Sequence, residues 1–182
     1  MNRPFFRADH VGSLLRPKAL LEARAKFAKR EIAREQLRAA EDAAIREAVR
    51  QQEEAGLPVV TDGEFRRAVW WGDFIFKIAG TALGGPDDSA AFKAAGGADP
   101  GYAPKIVLTT GKLSRAEPIM EYDYKTIAGA ARVLPKVTIP SPSRIHFHGG
   151  RDAVDRKAYP DLDAFWADIV AIYRAEIATL EA

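Results

Sequence analysis

Apolar residues recur along this chain in two rhythms that alternate, one at helical spacing and one in short uninterrupted runs. Residues 17–30 predict a helix with Pro17 in its first turn, where a missing N–H forfeits no intrahelical partner. A longer helix follows from Leu37, Ala40, Ala44, Ile45, Ala48, Val49 and Ala55, with Asp42 and Arg46 a turn apart on its exposed side and Gly56 as its stop. Residues 57–61 are too few for a helix and too continuously apolar for a half-exposed antiparallel strand, so they predict a buried parallel strand. Residues 105–110 and 136–140 repeat that pattern, separated by stretches long enough for crossovers, and a first strand is placed near residues 8–12. Residues 80–104, with paired glycines around an alanine-rich middle, predict an excursion loop. Residues 161–181 predict an amphipathic helix with Leu162, Phe165, Trp166, Ile169, Tyr173, Ile177 and Leu180 on one face.

A strand-then-helix unit repeated about four times is an α/β architecture. A complete (β/α)8 barrel takes about 250 residues. Residues 1–182 therefore predict a single partial domain, the N-terminal half of a TIM-like barrel, with an open doubly wound sheet as the alternative the pattern leaves standing. The 47% hydrophobic and 29% charged composition is that of a globular chain, and a net charge of +2 argues against nucleic acid or an anionic membrane as the main partner. No apolar run reaches about 18 residues and the first residues lack a signal-peptide core, so a cytoplasmic location is expected. The absence of cysteine excludes disulfides and any metal site built on this chain's own thiolates.

Ligands of α/β proteins gather beyond the C-terminal ends of parallel strands, which directs attention to the residues after each predicted strand. Val11, Gly12 and Ser13 follow the first; they offer backbone N–H groups and a hydroxyl, or equally an ordinary tight turn. Asp62, Gly63, Glu64, Phe65, Arg66 and Arg67 follow the second, where Glu64 could hold a ligand ammonium or the whole segment could be a solvated, salt-bridged loop. Trp70, Trp71, Phe74 and Phe76 come next and read as core or as a wall for a flat ligand. After the last strand, His146 and His148 would point the same way in an extended segment, but as a zinc site they would need His10, Asp62 or Glu64 to converge on them.

The stretch Arg7-Ala8-Asp9-His10-Val11-Gly12-Ser13-Leu14-Leu15-Arg16-Pro17, followed by Glu54-Ala55-Gly56-Leu57-Pro58-Val59-Val60-Thr61-Asp62-Gly63-Glu64-Phe65-Arg66-Arg67, resembles the cobalamin-independent methionine synthase family, its short single-barrel members most closely. Residues 138–143 and 173–177 continue the likeness in order. The resemblance implies a barrel methyltransferase that carries a methyl group from 5-methyltetrahydrofolate to homocysteine or a related thiol, with Zn2+ binding the thiolate. It implies that Val11, Gly12 and Ser13 cradle the amino acid and that Glu64 is its carboxylate partner. It further implies a folate-stacking aromatic near Phe147 or His148, while His10, whose role the resemblance leaves open, and Asp62 are further candidate substrate or folate contacts. The family's zinc ligands lie on later strands, so this chain is expected to be a truncated half that supplies no catalytic residue and no metal ligand and is inactive alone. Its expected partner is the missing C-terminal half or a second copy. A zinc-dependent transferase joining a thiol coenzyme to an epoxide, and a non-catalytic half-barrel or assembly module, are the rival expectations.

Overall fold

Helix α1 (Lys18–Ala28) starts from Pro17, whose carbonyl accepts from the N–H of Leu20 at 3.0 Å and of Leu21 at 3.1 Å in the computed structural model, which describes residues 9–86 and 105–181. It ends where Arg30 turns left-handed (φ 60) and the N–H of Glu31 reaches back to the Lys26 carbonyl at 2.9 Å. This closure usually employs glycine. Helix α2 (Arg34–Glu54) opens with the N–H of Ala33 donating to Gln36 Oε1 at 2.9 Å, the half of a capping box that an alanine leaves possible. Gly56 (φ 80) closes it as expected, and the Leu57 N–H donates to the Gln52 carbonyl at 3.0 Å. Asp42 does not face outward toward Arg46; it engages Arg66 and the hydroxyl of Tyr122.

The chain forms two compact units, Met1–Trp70 with Met120–Thr138, and Trp71–Ile119 with Ile139–Ala182. In the first, strand β1 (Val59–Val60) pairs in parallel with a strand at Leu134–Pro135, and the N–H of Lys136 extends the ladder to the Val60 carbonyl at 2.8 Å. The ladder is shorter than residues 57–61 and 136–140 predict, for a physical reason at Thr61. Its N–H donates to Gln52 Oε1 at 3.0 Å and its carbonyl accepts from Gln52 Nε2 at 2.9 Å, so a buried side chain stands where a neighbouring strand would. Leu20, Ile45, Ala48, Val49, Val60, Phe65 and Ile127 form the core beneath, Ile127 coming from the helix Glu121–Ala130. Full burial of each large aliphatic or aromatic side chain there stabilises by roughly 1.5–3 kcal/mol. Residues 9–12, expected as a strand, are irregular, because no neighbouring backbone takes up their hydrogen bonds in a ladder.

The second unit contains a short helix α3 (Gly72–Ile75), strands β2 (Ala79–Pro86) and β3 (Lys105–Ser114), and the long C-terminal helix Leu162–Glu181. Numbered in chain order, the helix Glu121–Ala130 is α4, the strand Leu134–Pro135 is β4 and the C-terminal helix is α5. Residues 105–110, expected to be a parallel strand, lie in β3 and pair antiparallel with β2, with irregular register between Ala79 and Thr81 and between Leu83 and Pro86. The expected loop thus begins as a strand through residue 86, and residues 87–104 lie outside the described residues. Gly80 (φ 85) permits the pairing, since a Cβ there would stand 2.5 Å from the Lys112 carbonyl oxygen. A parallel bridge joins Thr109 to Val154 on the other side of β3. Helix α5 buries Phe165, Ile169, Ile172 and Tyr173 along the face its spacing predicts.

Candidate functional site

The chain beyond β1 turns sharply through Asp62, Gly63 and Glu64, and two successive left-handed residues make the turn, Gly63 at φ 61 and Glu64 at φ 56. Left-handed backbone costs a side-chain-bearing residue about 1–2 kcal/mol, so something must hold Glu64 there. Asp62 does so in part, its Oδ1 accepting from the Glu64 N–H at 2.9 Å. Thr61 Oγ1 accepts from the Gly63 N–H at 3.2 Å.

This geometry turns the Glu64 carboxylate into the unit rather than out to water. Glu64 and Arg67 are both buried, and Arg67 Nη1 donates to Glu64 Oε1 at 3.3 Å. The hydroxyl of Thr138 donates to the same oxygen at 3.1 Å. Arg67 also donates to the carbonyls of Trp70 and Thr138. The expected solvated salt-bridged loop is therefore a buried one. Both contacts fall on Oε1, leaving Oε2 as the acceptor with capacity to spare. Beside it, Asp62 is buried and its Oδ2 accepts no hydrogen bond among the described residues. Two carboxylates against one directly bonded guanidinium favour a cationic or N–H-bearing ligand.

The segment of Gly12 and Ser13 meets this turn. The N–H of Leu14 donates to the Gly63 carbonyl at 3.0 Å, and Arg16 spans both segments, with Nη1 donating to Ser13 Oγ at 3.2 Å and Nη2 to the carbonyls of Glu64 at 2.9 Å and Arg67 at 2.8 Å. Arg24 on α1 donates to the Phe65 carbonyl at 2.7 Å. Ser13 and Val11 are exposed, and Gly12 takes φ 95. His10 Nε2 lies 2.7 Å from the Gly12 carbonyl oxygen, consistent with a role in shaping this bend. The structure thus brings Ser13, Asp62 and Glu64 into one bonded network, with Gly12 preceding Ser13 in the chain and bonded to His10. Sequence spacing missed its arginine and threonine members, Arg16, Arg24 and Thr138. Arg24 and Thr138 have partners 41 to 74 residues away, and although Arg16 reaches Ser13 nearby, its Glu64 and Arg67 partners lie 48 and 51 residues away.

Arg66, next to Arg67, turns the other way into a separate cluster with Asp42, with Asp123 at 3.4 Å and with Glu41 at 3.8 Å, over the ring of Tyr122. Burial holds the Glu41 carboxyl above its ordinary range, while Arg66, Arg34 and Arg24 pull it down and Asp123 adds to the rise. This cluster joins α2 to α4 and is structural in character.

In the second unit, His146, Phe147 and His148 follow a 3-10 turn (Pro142–Ile145) and are not extended, so the alternation that would align the two imidazoles does not exist. His146 packs against Phe165 and Trp166 with centroids 5.9 Å and 5.4 Å away, whereas Phe147 is 71% exposed and meets the His148 ring edge-on. Trp71 and Phe74 are core residues, Trp71 stacked under Arg144 and Phe74 against Tyr173, while Trp70 is exposed. Burial raises the Tyr173 phenol, which donates to the Pro140 carbonyl at 3.0 Å and holds the strand-to-turn passage before Ser141.

The zinc of the resembled family finds no fitting donor set among the described residues. The chain has no cysteine, and no group of three His, Asp or Glu side chains among the described residues could hold a metal ion. No described helix is long and apolar enough to cross a membrane.

Comparison with known proteins gives a consistent picture. The chain is similar to the uncharacterized Bacillus subtilis proteins YxjH (38% identical over 175 residues, 94% of this chain and 44% of the relative) and YxjG (38% over 183 residues, 96% and 45%). It spans about half the length of these curated relatives. A provisionally assigned vitamin-B12-independent methionine synthase from Listeria monocytogenes is 31% identical and superposes with a TM-score of 0.75 over 97% of this chain and 48% of its own. A B12-independent methionine synthase from Shewanella sp. W3-18-1, solved with selenomethionine, shares the fold at 20% identity (TM-score 0.61, 83% of this chain and 41% of the other). The mixed α/β arrangement of helices and parallel-paired strands matches a partial TIM-barrel-like fold. The family model of the cobalamin-independent synthase catalytic domain matches residues 6–182, and the chain belongs to that family.

Proposed function

We propose that this chain forms the amino-acid-binding part of a methyltransferase whose full-length form transfers the methyl group of 5-methyltetrahydrofolate to homocysteine. Ser13, with the Val11 and Gly12 backbone, takes the substrate carboxylate, and Glu64 takes its ammonium. The observation that supports this reading is the Glu64 carboxylate, buried at a strand end with Arg67 and Thr138 on Oε1 and no hydrogen bond on its other oxygen among the described residues. A carboxylate so fixed binds an ammonium with little ordering cost. In the reaction a sulfur–methyl bond forms as the methyl–N5 bond breaks, and the electron pair returns to the departing tetrahydrofolate. The residues of this chain bind and orient the amino acid for that step. Zn2+, which in the family binds the thiolate, would come with ligands outside this chain, and the remaining half of the fold, from a further segment or a partner, would complete the enzyme.

The test is Glu64→Gln in the full-length or reconstituted enzyme, with methyl transfer to homocysteine and thiol addition to an epoxide assayed side by side. We expect apparent amino acid affinity to fall by about tenfold or more, the worth of one charge-assisted hydrogen bond. Unchanged affinity removes Glu64 from the site, and activity confined to the epoxide pair replaces the methyl-transfer reading.

A further inference from the structure

We propose that Arg16 is a specificity-positioning residue that ties the carboxylate end of the amino acid site to its ammonium end and primes Ser13 to donate to an α-carboxylate. This rests on the proposed amino acid site and assigns a residue to it. The bond pattern carries the inference. One guanidinium donates through Nη1 to Ser13 Oγ at 3.2 Å and through Nη2 to the carbonyls of Glu64 at 2.9 Å and Arg67 at 2.8 Å. A planar, permanently charged fork fixes the spacing of what it bridges. Here it bridges the Ser13 segment and the Glu64 turn, Arg16 itself lying 48 residues from Glu64 in sequence.

The state of the Ser13 hydroxyl follows. Its oxygen accepts from a cation, so its own hydrogen must point elsewhere. The acceptors in reach are the carbonyls of Leu14 at 3.2 Å and Gly63 at 3.4 Å, both beyond the usual 2.5–3.0 Å of an O–H···O bond, and one hydrogen cannot serve both well. The hydroxyl is therefore a weakly engaged donor, exposed and polarised by Arg16, facing solvent where an anionic oxygen can take it. Glu64 supplies the opposite pole of the same frame. A ligand with both an α-ammonium and an α-carboxylate satisfies the two together, whereas a ligand lacking either satisfies only one.

Titration calorimetry with methionine, 4-(methylthio)butanoate and 3-(methylthio)propylamine separates the poles without needing a free thiol. In the full chain, Arg16→Met should weaken methionine and 4-(methylthio)butanoate by about tenfold and leave 3-(methylthio)propylamine unchanged, while Glu64→Gln should weaken methionine and the amine. Ser13→Ala leaves both carbonyl bonds of Arg16 intact and should reproduce the Arg16→Met pattern. The double variant should be no worse than either single one. Arg16→Lys, which keeps the charge and loses the fork, should fall between and guards against loss of folding in Arg16→Met. Equal losses for all three ligands, or additive losses for Ser13 and Arg16, overturn the role of Arg16 while leaving Glu64 standing. No methionine binding by the unsubstituted chain, or no effect of Glu64→Gln, overturns the site itself.

Discussion

Each of the two units buries a glutamate, and their surroundings treat the two differently. Glu176 on α5 is fully buried, with Arg115 Nε donating to Oε2 at 2.6 Å and the Ile119 N–H reaching both oxygens at 3.0 Å and 3.2 Å. Glu64 is nearly as buried, yet Arg67 and Thr138 both bond to Oε1, and the neighbouring Asp62 keeps an oxygen with no hydrogen bond among the described residues. A carboxylate with both oxygens occupied by its own chain is a fastener. One held by a single oxygen, in a left-handed backbone that costs stability, is the arrangement the proposed amino acid site requires.

Glutamine substitution tests this contrast, since it replaces one oxygen by an NH2 donor. At Glu176 the new donor faces the Ile119 N–H, while Arg115 loses its counter-charge; a loss of about 3 kcal/mol is expected in urea unfolding. A loss below about 1 kcal/mol would show that Glu176 is not the fastener described. At Glu64 Arg67 also loses its counter-charge, but the amide oxygen can serve Arg67 and Thr138 while the NH2 takes the position without a bond, so the expected cost is smaller, about 2 kcal/mol. Equal costs at the two sites would erase the distinction.

Glu41 gives the smallest effect and one of opposite sign. Burial raises its folded-state pKa above the ordinary 4.5. The stability linked to its proton is then fully present below the unfolded value and is lost as pH rises through the folded one. Glu41→Gln cannot ionise, and Arg66 retains Asp42 and Asp123. The variant should match the parent near pH 4 and be slightly more stable at pH 7, as thermal melts at the two pH values would show. A variant less stable at pH 7 would mean that attraction to Arg66 outweighs burial.

Helices were legible because their signals are local. The spacing from Leu37 to Ala55 and the stop at Gly56 give α2, and the apolar face beginning at Leu162 gives α5. Strand partners were not legible, because an apolar run such as Ile106, Val107 and Leu108 reads alike in parallel and antiparallel pairing. The true partner of β3 hides in Ala79-Gly80-Thr81-Ala82-Leu83-Gly84, whose glycines imitate a loop but are required where strand backbones crowd. At the site, Glu64 and Ser13 stood out by position after a strand and by resemblance. Adjacent Arg66 and Arg67 could not be told apart, since their opposite destinations depend on contacts distant in sequence.

The two units also alternate along the chain, each assembled from two separate stretches. In order of synthesis, the first unit has its helices α1 and α2 and strand β1 early, but it lacks α4 and β4 until the polypeptide has been made through Thr138. Until then Val59 and Val60 have no strand beside them, and the Glu64 carboxylate lacks the Thr138 hydroxyl. A ribosome stalled between residues 70 and 120 would therefore leave an apolar strand without its neighbour and the proposed amino acid site unfinished, a species prone to aggregate.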